Sequence, residues 1–153
     1  MKRLLMMSLL SSMLPLNIWW ASDVFADPVK LGFVEHNTNF AIADTGKPGD
    51  SVGDVMTFAN KVFDDKNEKQ VGSDNGFCIR TVVGEAYECN WTTFLADGQI
   101  TVEGPFYDAK DAILTVIGGT GTYDGMHGQL KLHARDAKAS EIDFVFEISA
   151  PHP

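Results

Sequence analysis

Residues 31–37, Leu-Gly-Phe-Val-Glu-His-Asn, and residues 50–60, Asp-Ser-Val-Gly-Asp-Val-Met-Thr-Phe-Ala-Asn, decide how this chain folds. Both stretches alternate in character at a spacing of two residues, which predicts β-strands. As strands, they place Glu35, Asn37 and Asn60 on faces that are otherwise apolar. The apolar residues of these faces are Leu31, Phe33, Met56 and Phe58. A carboxylate and two amides are costly to bury unless something satisfies them, so this placement indicates a functional site.

The first 26 residues have the pattern of a secretory signal peptide. Lys2 and Arg3 precede a largely apolar run over residues 4–20, and Val24-Phe25-Ala26 follows it. The run is short and interrupted by polar residues and a proline, whereas a membrane span needs about 20 apolar residues. We therefore expect cleavage after Ala26, a secreted or periplasmic protein without stable membrane insertion, and a single domain over residues 27–153.

Charge and cysteine content exclude several classes of partner. The 153 residues carry a formal net charge of −9, and loss of Lys2, Arg3 and Asp23 with the signal peptide changes it to −10. An acidic chain whose basic residues are scattered singly repels nucleic acid and anionic membranes. The two cysteines have no nearby pair of further ligands, so the sequence predicts no metal site.

Strand patterns recur along the mature chain, and no window has the 3.6-residue apolar period over the length of a helix. Eight strands are predicted, over residues 29–37, 52–63, 77–83, 86–95, 99–106, 112–117, 129–135 and 142–148. Residues 38–49 are predicted as a loop, residues 64–76 as a polar surface excursion, and Gly118-Gly119-Thr120-Gly121 as a tight turn. Short strands joined by tight turns form a meander, and eight of them can close into a barrel. The predicted fold is all-β, an eight-stranded antiparallel barrel with a lipocalin-like meander and little helix.

The predicted strands separate into an apolar face and a mixed face, as a closed antiparallel barrel requires. In the last strand the apolar face consists of Ile142, Phe144, Phe146 and Ile148. The mixed face is predicted to point outward and to include Phe94, Leu114, Val116 and Val145. This is more exposed apolar area than a monomer needs, so we expect a homo-oligomer.

Cys78 and Cys89 flank the turn signal Val83-Gly84. A two-residue hairpin there pairs position 82 with 85, 80 with 87 and 78 with 89, so the two cysteines face each other. In an oxidising compartment this register favours a disulfide, with a pair of free thiols as the alternative.

Four ordered segments carry a family resemblance. They are Ser-Val-Gly-Asp-Val-Met-Thr-Phe-Ala-Asn-Lys-Val-Phe-Asp at 51–64, Gly-Phe-Cys at 76–78, Gly-Gln-Ile-Thr-Val-Glu-Gly at 98–104, and Leu-Thr-Val-Ile-Gly-Gly-Thr-Gly-Thr-Tyr-Asp-Gly at 114–125 with Gly-Gln-Leu-Lys-Leu at 128–132. Together they resemble plant allene oxide cyclase over nearly all of the mature chain. The Gly-Gly-Thr-Gly segment is also similar to that of dirigent proteins, which share the barrel superfamily.

This resemblance implies a barrel that is commonly trimeric, with an apolar cavity at one mouth. In the cyclases an epoxide of a polyunsaturated fatty acid opens in the cavity and closes to a cyclopentenone, without any cofactor. By position, Glu35 corresponds to the glutamate that stabilises the electron-poor intermediate. Asn37 and Asn60 correspond to the asparagines that hold a water on the epoxide oxygen.

Five residues are predicted to bind the substrate: Phe33, Phe58, Cys78, Trp91 and Phe106. Phe58 and Cys78 match cavity-lining positions of the family, and Phe106 stands where the family has a tyrosine. The chain also departs from the plant enzymes after the glutamate, where their Ser-Pro is absent from His-Asn-Thr-Asn-Phe-Ala at 36–41.

These observations leave three hypotheses. The first is a secreted, cofactor-free isomerase or cyclase acting on a small, apolar, lipid-like substrate. The second is a non-catalytic, dirigent-like protein that binds a small apolar or phenolic ligand and guides its coupling. The third is a structural barrel whose interior is filled. The space between Glu35, Phe58 and Cys78 separates the second hypothesis from the third.

Overall fold

The computed structural model describes residues 27–150, so the predicted signal peptide at 1–26 lies outside the described residues. Nine strands follow in chain order: β1 Val29–His36, β2 Phe40–Ala43, β3 Val55–Asp64, β4 Gln70–Val82, β5 Ala86–Leu95, β6 Gly98–Tyr107, β7 Ala112–Gly121, β8 His127–Ala134 and β9 Glu141–Ser149. Between residues 27 and 150 no helix is long and apolar enough to cross a membrane.

Eight of these strands close into an antiparallel barrel, which confirms the predicted fold. The strands neighbour one another in the order β1-β9-β8-β7-β6-β5-β4-β3, and β3 pairs with β1 to complete the circle. At the closing seam Glu35 lies opposite Val62. The short strand β2 pairs with the first half of β3, where Phe40 lies opposite Phe58.

The core consists of side chains that alternate toward the barrel interior. The apolar face predicted for β9 is confirmed, because all four of its residues are buried. The predicted outer positions of Leu114 and Val116 were wrong, since these side chains are only 1% and 5% exposed. Ile113 and Ile117 are exposed on β7 instead. Residues 112–117 are apolar at nearly every position, so their periodicity alone cannot choose the inward face.

Three segments predicted as loop or turn are strand. β4 begins at Gln70, so much of the predicted surface excursion at 64–76 pairs with β3 and β5. The Gly-Gly-Thr-Gly segment continues β7 and pairs with residues 98–101 of β6, and the turn follows at 122–125. β2 lies within the predicted loop 38–49. In each case pairing with a neighbouring strand outweighs the local preference for turns.

The β4–β5 hairpin joins Cys78 to Cys89 through a disulfide. These cysteines are partners across the strands, and Arg80 is the partner of Tyr87, as the predicted register requires. The predicted two-residue turn is wrong, because the turn spans residues 83–85 and a bulge brings position 82 opposite 86. Gly84 has a φ of 66°, in the left-handed region that side chains disfavour, which explains a glycine at this point of the turn.

Candidate functional site

One mouth of the barrel opens into a wide depression with a small inner cavity at its floor. The depression has a volume of about 800 Å³, and its rim includes the loops 108–111 and 135–140. The inner cavity has a volume of about 30 Å³. Its lining consists of Glu35, Asn37, Met56, Phe58, Cys78, Trp91, Phe106, Leu132, Ile142 and Phe144. A water molecule needs roughly 10–15 Å³ of such space, so the inner cavity has room for water or for one end of a ligand.

Glu35 places a carboxyl group in this otherwise largely apolar lining. β1 turns it inward, and its side chain is 4% exposed. Asn60 Nδ2 donates a hydrogen bond of 2.7 Å to Glu35 Oε1. Burial, and after it the negative charge of Asp74, raises the pKa of Glu35 well above its usual value. The carboxyl group is therefore held in its protonated form at a pH where an exposed glutamate is ionised.

Asn60 supports Glu35 from the neighbouring strand and does not line the inner cavity formed by the described residues. Besides its bond to Glu35, its Nδ2 donates to Asn37 Oδ1 over 3.3 Å. Its Oδ1 accepts bonds from the backbone N–H groups of Thr38 and Asn39, at 3.1 and 2.9 Å. Both amide hydrogens and both oxygen lone pairs are thus used within the protein. Through these hydrogen bonds Asn60 holds the segment after β1, at Thr38 and Asn39, next to Glu35.

Asn37 lies at the boundary between the inner cavity and the wider mouth, and lines both. Its Nδ2 donates a hydrogen bond of 3.1 Å to the backbone oxygen of Ala139, in the loop between β8 and β9. The amide retains one further hydrogen and one further lone pair for a water or a ligand group. Of the two predicted water-holding asparagines, the structure therefore brings Asn37 to the cavity.

Aromatic side chains form much of the wall of the inner cavity that Glu35 also lines. Trp91 lies edge-on to Phe58, with ring centroids 6.0 Å apart, and at 5.8 Å from Phe144. Its backbone partner is Gly76, where an added Cβ would lie 2.3 Å from Trp91 Cβ. A glycine is thus required for the close approach of the indole to β4.

The other predicted substrate-binding residues fall into two groups. Phe106 and Cys78 line the inner cavity, although Cys78 belongs to the disulfide and presents no thiol. Phe33 is not among the described residues of that lining, because it packs edge-on against Phe146 with centroids 6.1 Å apart.

Asp74 is the candidate that the sequence analysis missed. It is 1% exposed, faces inward on β4, and lies opposite Asn60 on β3 and Thr93 on β5. Asn60, its partner on β3, donates to Glu35, and the charge of Asp74 acts on the Glu35 carboxyl group. We call Glu35 and Asp74 the carboxyl pair. The spacing of Asp74, two from Gly76 and four from Cys78, could have placed it on the inward face of a strand. Residues 64–76 are so polar, however, that the segment is predicted to be a surface excursion.

A second cluster, built around the buried Arg80, lies nearer the mouth, and we call it the mouth clamp. It consists of Arg80, Asp50, Asp108 and Tyr87. Arg80 contacts Asp50 through Nε at 2.7 Å and Asp108 through Nη1 at 2.9 Å. Its Nη2 donates to the Tyr87 hydroxyl at 2.8 Å. The clamp ties the loop before β3 and the loop after β6 to the β4–β5 hairpin.

No group of three His, Cys, Asp or Glu side chains in the described part of the chain is arranged to hold a metal ion.

Comparison with known proteins gives a family match and several matches of fold. The family model described as allene oxide cyclase matches residues 34–136. The structure of a pyocyanin demethylase is 28% identical, with a TM-score of 0.68, over 79% of this chain and 100% of that chain.

Two further structures share the fold at lower identity. A pterocarpan synthase dirigent protein is 14% identical, with a TM-score of 0.65, over 84% of this chain and 99% of that chain. An exo-specific intermolecular Diels-Alderase is 13% identical, with a TM-score of 0.62, over 80% of this chain and 98% of that chain. At these identities the likeness establishes the barrel fold alone.

Proposed function

This chain belongs to the allene oxide cyclase family, and from that premise we propose that it is a cofactor-free isomerase or cyclase acting on a small apolar substrate. The observation that carries the proposal is the carboxyl group of Glu35, which is buried at the floor of a mouth lined with aromatic and aliphatic side chains. Buried ionisable groups with displaced pKa values, placed in a cleft, are typical of functional sites.

The proposed binding mode uses both compartments. The mouth, at about 800 Å³, is within the size range of small-molecule sites, whereas the inner cavity, at about 30 Å³, admits only a small group. The body of the substrate lies against Phe106 and Met56, which line both compartments. Its reacting oxygen points to Glu35 and Asn37. Fixing the ligand in this way limits the conformations from which a ring can close.

The proposed chemistry is acid catalysis followed by return of the proton. Glu35, protonated because it is buried, gives its proton to an epoxide or carbonyl oxygen of the substrate. The carboxylate that forms then stabilises positive charge on the carbon framework, strongly so because the site has a low dielectric. When the new ring or carbonyl forms, the proton returns to Glu35. Substrate and product are isomers, so no oxidant, reductant or leaving group is needed.

A specific observation favours a second candidate, a dirigent-like protein that guides coupling in the mouth without acid catalysis. A ligand with several rings is larger than the inner cavity and would occupy the wide compartment. Tyr107 and Phe40 lie there, and Lys110 Nζ is 4.0 Å from the Tyr107 ring centroid. Stacking on such a rim orients an aromatic ligand without contact to Glu35.

The first experiment is turnover and binding with a panel of probes. The panel contains an allene oxide of a polyunsaturated fatty acid, generated in situ, pyocyanin, because a relative is named for acting on it, and a set of phenolic radicals. We expect Glu35→Gln to lower turnover of the accepted compound by about 100-fold or more, the usual contribution of a positioned acid. Glu103→Gln, on the outer face of β6, serves as the matched control.

The outcomes separate the two candidates. Unchanged turnover in Glu35→Gln would reject acid catalysis. If, in addition, the protein altered only the stereochemistry of products that form without it, the dirigent-like function would be favoured. Product isomers resolved by chiral chromatography and mass spectrometry provide the measurement.

We also propose a secreted or periplasmic location and a homotrimeric assembly. The disulfide suits an oxidising compartment. On the outer face of β4, Phe77 and Ile79 are 45% and 41% exposed, more apolar surface than this part of a monomer needs. Cell fractionation and light scattering of the purified protein test the two proposals.

A further inference from the structure

Asp74 faces the interior because β4 alternates from Gly72 to the disulfide, beyond the irregularity that separates Gly72 from Gln70. Its partners on the adjoining strands are Asn60 and Thr93. Asp74 is not among the described residues that line the inner cavity, whereas Glu35, on which its charge acts, lines that cavity. Asp74 therefore lies behind Glu35 as seen from the mouth.

Two buried carboxyl groups that flank the same asparagine favour a shared proton. Apart from a loose contact with the backbone N–H of Asn60, no described donor reaches the oxygens of Asp74. The neighbouring hydroxyl of Thr93 has no hydrogen-bond partner either. Ionised carboxylates only accept hydrogen bonds, so two of them cannot bond to each other. One proton between them satisfies an oxygen on each side and removes one of two buried charges.

Burial favours one proton on the pair. Burial raises the pKa of Asp74 to about 6, with the Asn60 N–H and Glu35 opposing the rise. For Glu35 burial, and after it the charge of Asp74, raises the pKa well above its usual value. Asn60 occupies Glu35 Oε1, which leaves Oε2 to share the proton. The pair therefore keeps one proton to a higher pH than two exposed carboxyl groups would.

We infer that Asp74 is a positioning residue that holds a shared proton on Glu35 and thereby makes Glu35 an acid rather than a permanent anion. The inference rests on the function proposed for Glu35 and deepens it. The site would accordingly select substrates with an oxygen that accepts a proton, such as an epoxide, a carbonyl or a quinone-like ring. In the step, the O–H bond of Glu35 breaks, an O–H bond on the substrate forms, and the same proton returns when the isomer is complete.

The carboxyl pair is electrostatically isolated among the described residues. The inward neighbours of Glu35 on β3 and β9 are Asn60, Val62 and Ile142, and none of them titrates. His36, Lys61 and Glu141, which adjoin the pair in sequence or across the seam, alternate to the other face.

The mouth clamp also faces inward, but from farther along β4. Arg80 is six residues from Asp74, about 20 Å at about 3.3 Å per residue. Its charge is already matched by Asp50 and Asp108.

The test reads the proton directly and needs no substrate. Infrared difference spectra between the wild type and Glu35→Gln, both produced from the full chain, should show the C=O band of a protonated carboxylic acid at pH 7. In Asp74→Asn the amide donates to Glu35 and carries no charge, so the Glu35 pKa should fall and the pH midpoint at which the band disappears should move downward.

Thr93→Val is the matched control, because it changes the other neighbour of Asp74 without changing charge and should leave the band in place. If Asp74→Asn does not fold, Asp74→Thr provides a second uncharged side chain of similar size with the same expected downward shift of the band midpoint. A wild type without a Glu35-dependent band at pH 7 would overturn the inference. So would an uncharged Asp74 variant that keeps the band with an unchanged midpoint.

Failure of this inference and failure of the proposed function give different results. Full turnover in Glu35→Gln rejects acid catalysis but leaves the titration result intact. Conversely, if substitution of Asp74 leaves the midpoint of the Glu35 band unchanged, the shared proton is rejected, while turnover can still depend on Glu35. When both hold, Asp74→Asn should move the alkaline limit of the turnover-pH profile downward by the shift seen in the infrared titration, an effect that a purely structural residue does not have.

Discussion

Asp74 and Arg80 are both buried on the inner face of β4, and the carboxyl pair and the mouth clamp to which they belong are satisfied in opposite ways. In the mouth clamp a 6% exposed guanidinium meets two carboxylates and a hydroxyl, all within 2.9 Å. In the carboxyl pair two acids meet each other, and donors are scarce. The first arrangement holds loops in place, whereas the second costs stability unless a proton is bound. Retention of a costly pair beside the cavity is characteristic of a site used for chemistry.

The comparison predicts the largest loss of stability when the mouth clamp is broken. Arg80→Ala removes a buried side chain that bonds the Tyr87 hydroxyl and two partly exposed carboxylates, Asp50 and Asp108. We expect the free energy of unfolding to fall by about 3 kcal/mol, from lost packing and from hydrogen bonds to charged groups. Urea unfolding at pH 7 with the disulfide intact measures this. Arg135→Ala is the matched control, since Arg135 pairs with Asp143 at the surface and should cost about 1 kcal/mol or less. Equal losses in the two variants would show that the mouth clamp is no more than a surface ion pair.

The carboxyl pair predicts a pH dependence of the opposite kind. The pKa of Asp74 is about 6 in the folded protein and 3.8 ordinarily, so the folded state binds more protons than the unfolded state between these values. This stabilisation is complete below about pH 4 and is lost as the pH rises to about 6. The stability of the wild type relative to Asp74→Asn should fall by about 2–3 kcal/mol over that range. The raised pKa of Glu35 acts in the same direction and prolongs the loss above pH 6.

The relative measurement matters because other carboxylates titrate with the reverse sign. Hydrogen bonds from backbone and side-chain donors lower the pKa of Asp54 and Asp136, and this favours folding above their pKa values. These terms are common to the wild type and Asp74→Asn and cancel in the difference. A difference that is flat or rises between pH 4 and pH 6 would contradict an unusually basic Asp74.

A smaller effect is expected at the residue that supports Glu35. Asn60→Ala removes the donor to Glu35 Oε1 and the acceptor for the backbone N–H groups of Thr38 and Asn39. We expect a loss of about 2 kcal/mol in unfolding free energy, the cost of leaving buried groups unpaired. Asn90→Ala, which removes only a 3.4 Å contact with Glu103, should stay within about 0.5 kcal/mol. Similar losses in both would mean that Asn60 does not hold the site together.

The smallest effect on the barrel itself is expected on its outer face. Ile79→Asp should lower monomer stability by about 1 kcal/mol, because Asp is a poor strand residue and Glu88 lies opposite. It should nevertheless reduce the mass in light scattering if β4 lies at the proposed trimer contact. Ile113→Asp, a similarly exposed isoleucine on β7, is the control and should leave the mass unchanged. A mass that stays constant in Ile79→Asp would remove β4 from the contact.

Much of the fold follows from alternation, and the exceptions share a cause. The strict pattern of β9 and the facing cysteines of β4 and β5 could be predicted, because polar and apolar residues alternate there. The inward face of residues 112–117 could not, since apolar residues occupy both faces. The strand character of residues 70–76 was hidden by Gly, Ser, Asp and Asn, which favour turns when their partners are unknown.

The candidate site also has features that the sequence predicts and features that it does not. Glu35, Asn37, Phe58, Trp91 and Phe106 could be placed by parity or by family position, and all of them line the inner cavity. It could not be predicted that Asn37 lines the inner cavity whereas Asn60 does not. This difference arises because the chain after β1 folds against the Asn60 amide and occupies its oxygen.

By itself the sequence determines the strand period, the pairing of the cysteines and membership of the family, because these depend on order and spacing along the chain. The meeting of Glu35 with Asp74 is decided only by the tertiary structure. The two residues lie on strands that come together when β3 closes the barrel against β1. Whether either acid keeps its proton depends on how much water is removed and which charge is left beside it, and neither is defined until that seam is closed.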